Sequence, residues 1–281
     1  MGNITASMVR ELREETGAAM MDCKKALEAT SGDVAAAKDH LRKQGLKTAA
    51  KKATRETSEG RVFAHVGDDN NAGALIAVAC ETDFVARTPD FEAMLVALSK
   101  HVSEHTPESP EALMAQSWAG DEDTVEEYIK QVIGKLGENI RVTDVGAFSV
   151  DAGRVDSYIH HNDKLGVLVA VKSDADADKL EAFTKDLGLH IAFHKPTCMS
   201  RDEVPADQVE REREVHRDTV KDKPAEMQDK IIDGKMGKFY SELVLPEQPW
   251  VKDDKRSVAK VMAESLGKDA ELVGYFCFNI G

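Results

Sequence analysis

The stretches GALIAVA (73–79) and GVLVAVK (166–172) decide the fold, because they are two copies of one strand placed 93 residues apart. Each copy is preceded at the same distance by a Gly-Arg-Val triplet, at 60–62 and at 153–155. A polar turn lies between triplet and strand, so each copy is predicted to begin with a β-hairpin. A repeat distance that holds for both elements indicates a duplicated unit.

The duplication extends to a helix and a third strand. The segment FEAMLVALSKHVSEHTP (91–107) aligns with LEAFTKDLGLHIAFHKP (180–196), and both keep apolar residues at helical spacing. Each copy then closes with a strand, DVGAFSV (144–150) or LVGYFCFNI (272–280). We therefore predict an α+β fold in which two related core subdomains carry small antiparallel sheets.

The predicted subdomains are core subdomain 1 over residues 60–150 and core subdomain 2 over residues 151–281. The second contains a long polar insertion at about 201–250, which is predicted to form a helical hairpin. The pattern leaves open whether this hairpin projects from the core or lies flat against it.

The N-terminal residues predict a small bundle. Glycines stand where three short amphipathic helices are expected to end, at Gly17, Gly32 and near Gly45. We predict a three-helix bundle over residues 1–46, similar in plan to the ubiquitin-associated (UBA) module. The basic segment 47–59 is predicted to be a linker or an exposed extension of the third helix.

One local difference separates the two core copies. The strands are 93 residues apart, whereas the helices are 89 residues apart, so the first copy has four extra residues between Cys80 and Asp90. The sister copy builds the same scaffold without them, which favours a functional role for this loop. The alternative is that Phe84, in the middle of the loop, simply closes the end of the core.

Composition excludes several classes of partner and location. The formal net charge is -14, which does not suit a phosphate backbone, so no nucleic-acid partner is predicted. Four cysteines are scattered along the chain, as is typical of a reducing cytosol. No apolar stretch has the length of a membrane span or the pattern of a signal peptide. We predict a cytoplasmic protein without a membrane partner.

Motifs for chemistry are missing. The sequence has no phosphate-binding GxxxxGK[ST] loop, no GxGxxG after a strand, no zinc-type cysteine spacing and no GxSxG elbow. We therefore predict that the protein is not an enzyme and uses no cofactor or metal, and that it binds no nucleotide of its own. A binding protein whose active feature is a loop is the stronger hypothesis.

Two stretches carry a family resemblance. LREETGAAMMDCKKAL (12–27) and CETDFVAR (80–87) resemble the signature stretches of bacterial elongation factor Ts, and the predicted architecture agrees along nearly the whole chain. The resemblance implies a guanine-nucleotide exchange factor for the translational GTPase elongation factor Tu. In place of the family's usual Glu-Val-Asn-Cys, the chain has Ala77-Val78-Ala79-Cys80, which leaves the bracing of the loop open.

The resemblance also implies the site. A loop that displaces Mg²⁺ from the partner GTPase carries over to Thr82, Asp83, Phe84 and Val85. Further partner contacts carry over to Met20, Met21, Leu136, Gly137 and His160, and the whole stretch LGEN (136–139) matches family contact positions. A homodimer or a 2:2 complex with the GTPase is left open. The alternative function is a non-catalytic adaptor or chaperone-like partner of the same GTPase, and ubiquitin-like partners for the bundle are a further alternative.

Overall fold

A computed structural model describes residues 4–119, 123–221 and 223–281. The predicted domain ranges include residues 1–3, 120–122 and 222, which lie outside the described residues. In the described ranges the chain forms eleven α-helices and eight strands, and the predicted α+β class with small antiparallel sheets is confirmed. None of these helices is long and apolar enough to cross a membrane.

The helices are α1 (Ala6–Thr16), α2 (Met20–Ala29), α3 (Val34–Lys52), α4 (Asp83–Ala86), α5 (Pro89–His105), α6 (Pro110–Met114), α7 (Val125–Leu136), α8 (Ala177–His194), α9 (Ala206–Thr219), α10 (Ala225–Leu243) and α11 (Val258–Leu266). The strands are β1 (Glu59–Val66), β2 (Ala72–Cys80), β3 (Ile140–Ser149), β4 (Arg154–Ile159), β5 (Leu165–Lys172), β6 (Pro249–Trp250), β7 (Asp253–Ser257) and β8 (Glu271–Asn279).

The two core sheets repeat each other in detail. One has the strand order β1-β2-β3 and the other β4-β5-β8, and all pairs are antiparallel. The triplet glycines Gly60 and Gly153 both have positive φ, and a side chain at either would clash with the carbonyl oxygen of Val78 or Val171 on the next strand. Glycine is therefore required at both positions, which explains why the triplet recurs.

The sheets pack face to face through an apolar layer that includes Val62, Leu75 and Leu168. Equivalent residues exchange backbone hydrogen bonds across the interface. Val62 N–H donates to Asp163 O at 2.7 Å, and the sister bond from Val155 N–H to Asn70 O is also 2.7 Å. The duplicated units are thus joined by a reciprocal contact.

One long helix covers the outer face of each sheet. Helix α5 buries Phe91, Met94 and Leu98 against the first sheet, and α8 buries Phe183 and Leu187 against the second. The core therefore has four layers in the order helix, sheet, sheet, helix. The central strands β2 and β5 are accordingly buried along almost their whole length, because each sheet is covered on both faces.

Helices α1 to α3 pack around Leu12, Cys23 and Leu27. The likeness of this bundle to a UBA module stays a prediction. One expectation is wrong: α3 does not end near Gly45 but continues to Lys52. Gly45 instead lies where α3 crosses α7. A Cβ on Gly134 of α7 would lie 2.6 Å from the Gly45 Cα, so the two helices approach too closely for side chains at this point. The segment after residue 46 is therefore helical where it begins, and it packs on core subdomain 1.

The insertion in the second copy contains the antiparallel pair α9 and α10. Val209 packs near Phe239, and Val220 packs near Ile232 and Met236, so the helices run in opposite directions. Cys198 and Val244 anchor the base of the pair. The predicted helices of the hairpin are present.

Candidate functional site

The four extra residues of the first copy correspond to one helical turn, α4, placed between β2 and α5. Thr82 caps it, because its Oγ1 accepts a hydrogen bond from the Val85 N–H at 3.3 Å. Ala86 is buried and Val85 packs against the core of subdomain 1. Phe84 points the other way, and its side chain is 82% exposed. The alternative that Phe84 closes the end of the core is therefore wrong.

The turn is tied to the helix that follows it. Thr88 Oγ1 donates to the Val85 carbonyl oxygen at 2.8 Å, and the same hydroxyl caps α5 by accepting from Phe91 N–H at 3.2 Å. The Asp83 carboxylate pairs with Arg87 at 3.2 Å. The Asp83–Arg87 pair is largely solvent-exposed, so it contributes little to stability and leaves Asp83 free to exchange partners.

The second copy has no counterpart to this turn. Residues 173–176, all of which are described, join β5 to α8 without a helical turn. A short loop is enough to connect strand and helix on this scaffold. An aromatic ring held in solvent on an added turn is thus not a folding requirement.

The carboxylates of Glu138 and Glu81 connect the start of the turn to the segment that follows α7. The Glu138 carboxylate accepts from Thr82 N–H at 3.0 Å and from Thr82 Oγ1 at 2.7 Å. In the opposite direction, the Glu81 carboxylate accepts from Asn139 N–H at 2.7 Å and lies 3.2 Å from the Arg55 guanidinium. The Asn139 amide donates to the Arg55 carbonyl oxygen at 2.8 Å, which joins the end of the α3 segment to the same network.

The bracing role of these residues was not predicted from the sequence, although the resemblance placed Glu138 and Asn139 in the contact stretch LGEN (136–139). The available signal was the repeated Leu-Gly, which recurs at Leu266-Gly267 but is followed there by Lys268 and Asp269. Ala77 and Ala79, which replace the family's usual polar residues, had left the bracing of the loop open. The network supplies that bracing from Glu81, which follows β2, and from Glu138, which follows α7.

Local electrostatics keep the base of the turn inert. The hydrogen bond from Asn139, followed by the contact with Arg55, lowers the pKa of Glu81, so its carboxylate stays charged. Burial, reinforced by the Glu138 carboxylate, raises the pKa of Cys80 to about 12. The Cys80 thiol is therefore a protonated donor to the Thr82 carbonyl oxygen at 3.1 Å and not a nucleophile.

The remaining predicted contacts lie on three different elements. Met20 and Met21 occupy the first turn of α2, 44% and 60% exposed, in the bundle. Leu136 is half-buried against the core of subdomain 1, and Gly137 ends α7 with a left-handed conformation directly before Glu138. His160 lies in the hairpin turn of the second copy, where its Nδ1 is 2.9 Å from the Tyr158 hydroxyl.

The structure therefore brings Leu136 and Gly137 together with the Thr82 to Val85 turn through the braced stretch. It places the two methionines and His160 on separate elements. Within residues 4–119, 123–221 and 223–281, no group of three or more His, Cys, Asp and Glu side chains is arranged to hold a metal ion.

The fold and this turn define a class: a duplicated α+β core that presents an apolar side chain on a braced turn, which is typical of a protein-binding surface. The sequence model of the family described as "Elongation factor TS" matches residues 81–281. The chain is 42% identical to the elongation factor Ts of Trichlorobacter lovleyi over 99% of this chain and 93% of that protein.

Other proteins of the same name are similar to the chain over almost its full length. The chain is 39% identical to elongation factor Ts of Prosthecochloris aestuarii, over 97% of this chain and 96% of the relative. It is also 39% identical to that of Chlorobium chlorochromatii over the full length of both proteins. The chain belongs to the elongation factor Ts family, and the resemblance carried by residues 12–27 and 80–87 is confirmed.

Proposed function

We propose that this protein is a guanine-nucleotide exchange factor that promotes GDP release from elongation factor Tu during protein synthesis. The family supports this role, and one observation carries it: Phe84 is held in solvent on a braced turn that only the first core copy has. Because the scaffold folds without this turn, as the second copy shows, an exposed ring held on it supports a role in binding a partner.

The proposed action is mechanical and electrostatic. A GTPase holds GDP through its phosphate loop and a bridging Mg²⁺, and this ion tolerates little distortion of its octahedral shell. In the proposal, Phe84 enters the partner near that site as a wedge, with Thr82 and Val85 holding its backbone. Asp83, whose surface pair with Arg87 is easily exchanged, competes for the groups that orient the ion. The factor thereby lowers the affinity of the GTPase for GDP, and bound GDP lowers the affinity of the GTPase for the factor by the same ratio.

A second part of the proposal is that the bundle supplies affinity. Met20 and Met21 present an apolar spot on α2, and thioether side chains adapt well to a partner surface. The close crossing of α3 and α7 supports a fixed relation between this spot and the Phe84 turn. Two contacts held at a fixed distance bind one partner together at lower entropic cost.

Leu136, Gly137 and His160 are proposed as further partner contacts on the same grounds of family position. We place the protein in the cytoplasm with no nucleic-acid partner, and a homodimer or 2:2 complex remains part of the proposal. The UBA-like character of the bundle is also proposed, on the basis of its three packed helices.

The test is the release of a fluorescent GDP analogue from elongation factor Tu, followed with and without this protein. We expect release to accelerate in proportion to the concentration of the factor until it saturates. Stable binding to the GTPase without acceleration would contradict exchange and support the adaptor alternative. No binding and no acceleration would contradict both.

A further inference from the structure

The brace beneath the Phe84 turn assigns a role to Glu138, which contacts the predicted site residue Thr82 and directly follows the predicted contact Gly137. Glu138 accepts two hydrogen bonds from one residue, Thr82, at 3.0 Å from the backbone N–H and 2.7 Å from the hydroxyl. We propose that Glu138 is a positioning residue for nucleotide exchange, which acts through Thr82 to hold the Phe84 turn in the conformation that the partner receives. This inference rests on the proposed function of the turn.

The direction of the hydrogen bonds carries the argument. A threonine hydroxyl has one proton to donate and lone pairs to accept with. Because the Thr82 proton goes to Glu138, a lone pair is directed to the Val85 N–H, which donates to it at 3.3 Å. A charged acceptor strengthens the first bond and polarises the second. Glu138 thereby fixes the orientation of the Thr82 hydroxyl group, which caps α4.

The turn needs this support because it has little of its own. Helix α4 spans only Asp83–Ala86, and a helix this short is not stable without external contacts. Phe84 is 82% exposed, so the position of its ring depends on the backbone that carries it. If the turn were mobile in the free protein, ordering it on binding would cost conformational entropy and reduce the energy left for the wedge.

The sister copy shows that the scaffold does not require the acid. At the position equivalent to Glu138, after the repeated Leu-Gly, the second copy has the exposed Lys268. There the strand end is tied down differently, by the Ser173 hydroxyl donating to the Leu266 carbonyl oxygen at 3.2 Å. The carboxylate is present in the copy that has a turn to hold and absent from the copy that has none.

The first experiment compares Glu138→Gln with the matched control Lys268→Gln. Glutamine keeps the shape but is uncharged and replaces one carboxylate oxygen with an NH2 donor, so it cannot accept from both Thr82 groups in the two-oxygen arrangement of Glu138. We expect Glu138→Gln to slow GDP-analogue release from elongation factor Tu by about tenfold at limiting factor, a loss of about 1.4 kcal/mol. In the isolated protein, amide hydrogen exchange should rise in residues 82–86 with the melting temperature unchanged. Lys268→Gln should alter neither.

The second experiment tests whether Glu138 acts through Thr82. Thr82→Val removes the hydroxyl while keeping the shape, and Thr82→Ser restores it. We expect Thr82→Val to match Glu138→Gln, the double variant to be no slower than either single variant, and Thr82→Ser to recover most of the rate that Thr82→Val loses. Losses that multiply in the double variant would overturn the inference.

Two other outcomes also decide the matter. If Glu138→Gln slows release while amide exchange in residues 82–86 stays at the parent rate, Glu138 contacts the partner directly and the positioning role is wrong. If the parent protein does not accelerate GDP release at all, the proposed function fails. The amide-exchange comparison of the isolated variants then still decides whether Glu138 holds the turn.

Discussion

Truncating Phe84 to alanine separates an effect on partner binding from an effect on folding. The side chain is 82% exposed, so it buries little surface within the protein. We expect Phe84→Ala to change the free energy of unfolding by no more than about 0.5 kcal/mol, as is usual for surface substitutions. The thermal melt should therefore overlay that of the parent protein.

The effect on the partner should be much larger. A covered aromatic side chain buries roughly 150–250 Å². With 82% of that surface available, burial in a partner removes roughly 160 Å² from water, which corresponds to about 4 kcal/mol at ~25 cal/mol per Å². Since alanine keeps part of the contact and covering is rarely complete, the interaction free energy lost with the ring is about 2–4 kcal/mol. If the wedge forms as GDP leaves, this loss slows the maximal rate of GDP release by about 30- to 1000-fold.

The assay is stopped-flow release of a fluorescent GDP analogue from elongation factor Tu over a range of factor concentrations. Phe193→Ala is the matched control, because Phe193 is 73% exposed on α8 of the second copy, outside the predicted site. We expect Phe84→Ala to lower the maximal rate and Phe193→Ala to leave it unchanged. Release at the parent rate by folded Phe84→Ala protein refutes the wedge. A lowered affinity with an undiminished maximal rate would make Phe84 an anchor only.

Three further predictions follow from packing, burial and exposure. Gly134→Ala should destabilise the fold by about 1–3 kcal/mol in urea titrations, because its Cβ would meet the backbone of α3 at 2.6 Å, whereas Gly234→Ala in open space should be neutral or slightly stabilising. Burial lowers the pKa of His190 to about 4. The unfolded chain therefore binds the proton more tightly, and the free energy of unfolding should fall by up to about 3 kcal/mol between pH 6.5 and 4. An NMR titration in which His190 protonates near its ordinary pKa would contradict this. Met21→Ala should weaken binding to elongation factor Tu by about 1–2 kcal/mol in calorimetry without lowering the melting temperature, and equal affinities for Met21→Ala and the control Met227→Ala would count against docking by the bundle.

The elements that the sequence predicted are those whose physical requirements are local. Gly60 and Gly153 recur because each backbone passes a carbonyl oxygen too closely for a side chain. The added turn was visible as a difference between two repeat distances. Because successive residues of one helical turn face different directions, Phe84 is exposed while Ala86 is buried. These features depend on chain neighbours or on strand pairing, and both leave a periodic mark in the sequence.

The features that were missed depend on proximity in space. A glycine such as Gly45 is typical of a helix end in sequence. Only the close approach of Gly134 from another helix explains why glycine stands here although α3 continues past it. The brace joins Thr82 to Glu138 across 56 residues of chain, and no periodicity connects them. A carboxylate after a Leu-Gly pair is an ordinary surface residue until its acceptor atoms are located.

The duplication itself supplies the reference that a single sequence otherwise lacks. His101 bonds Gln116 at 2.9 Å and His190 bonds Gln248 at 2.9 Å, each on the helix that covers its sheet. A buried contact that is kept in both copies serves the scaffold, since both copies must fold. By the same reasoning, a feature found in one copy only is free of that constraint. Phe84 and the carboxylate of Glu138 belong to this second group, and Thr82, which Glu138 holds, begins the turn that carries Phe84. Function in this chain is therefore to be sought where its two halves differ.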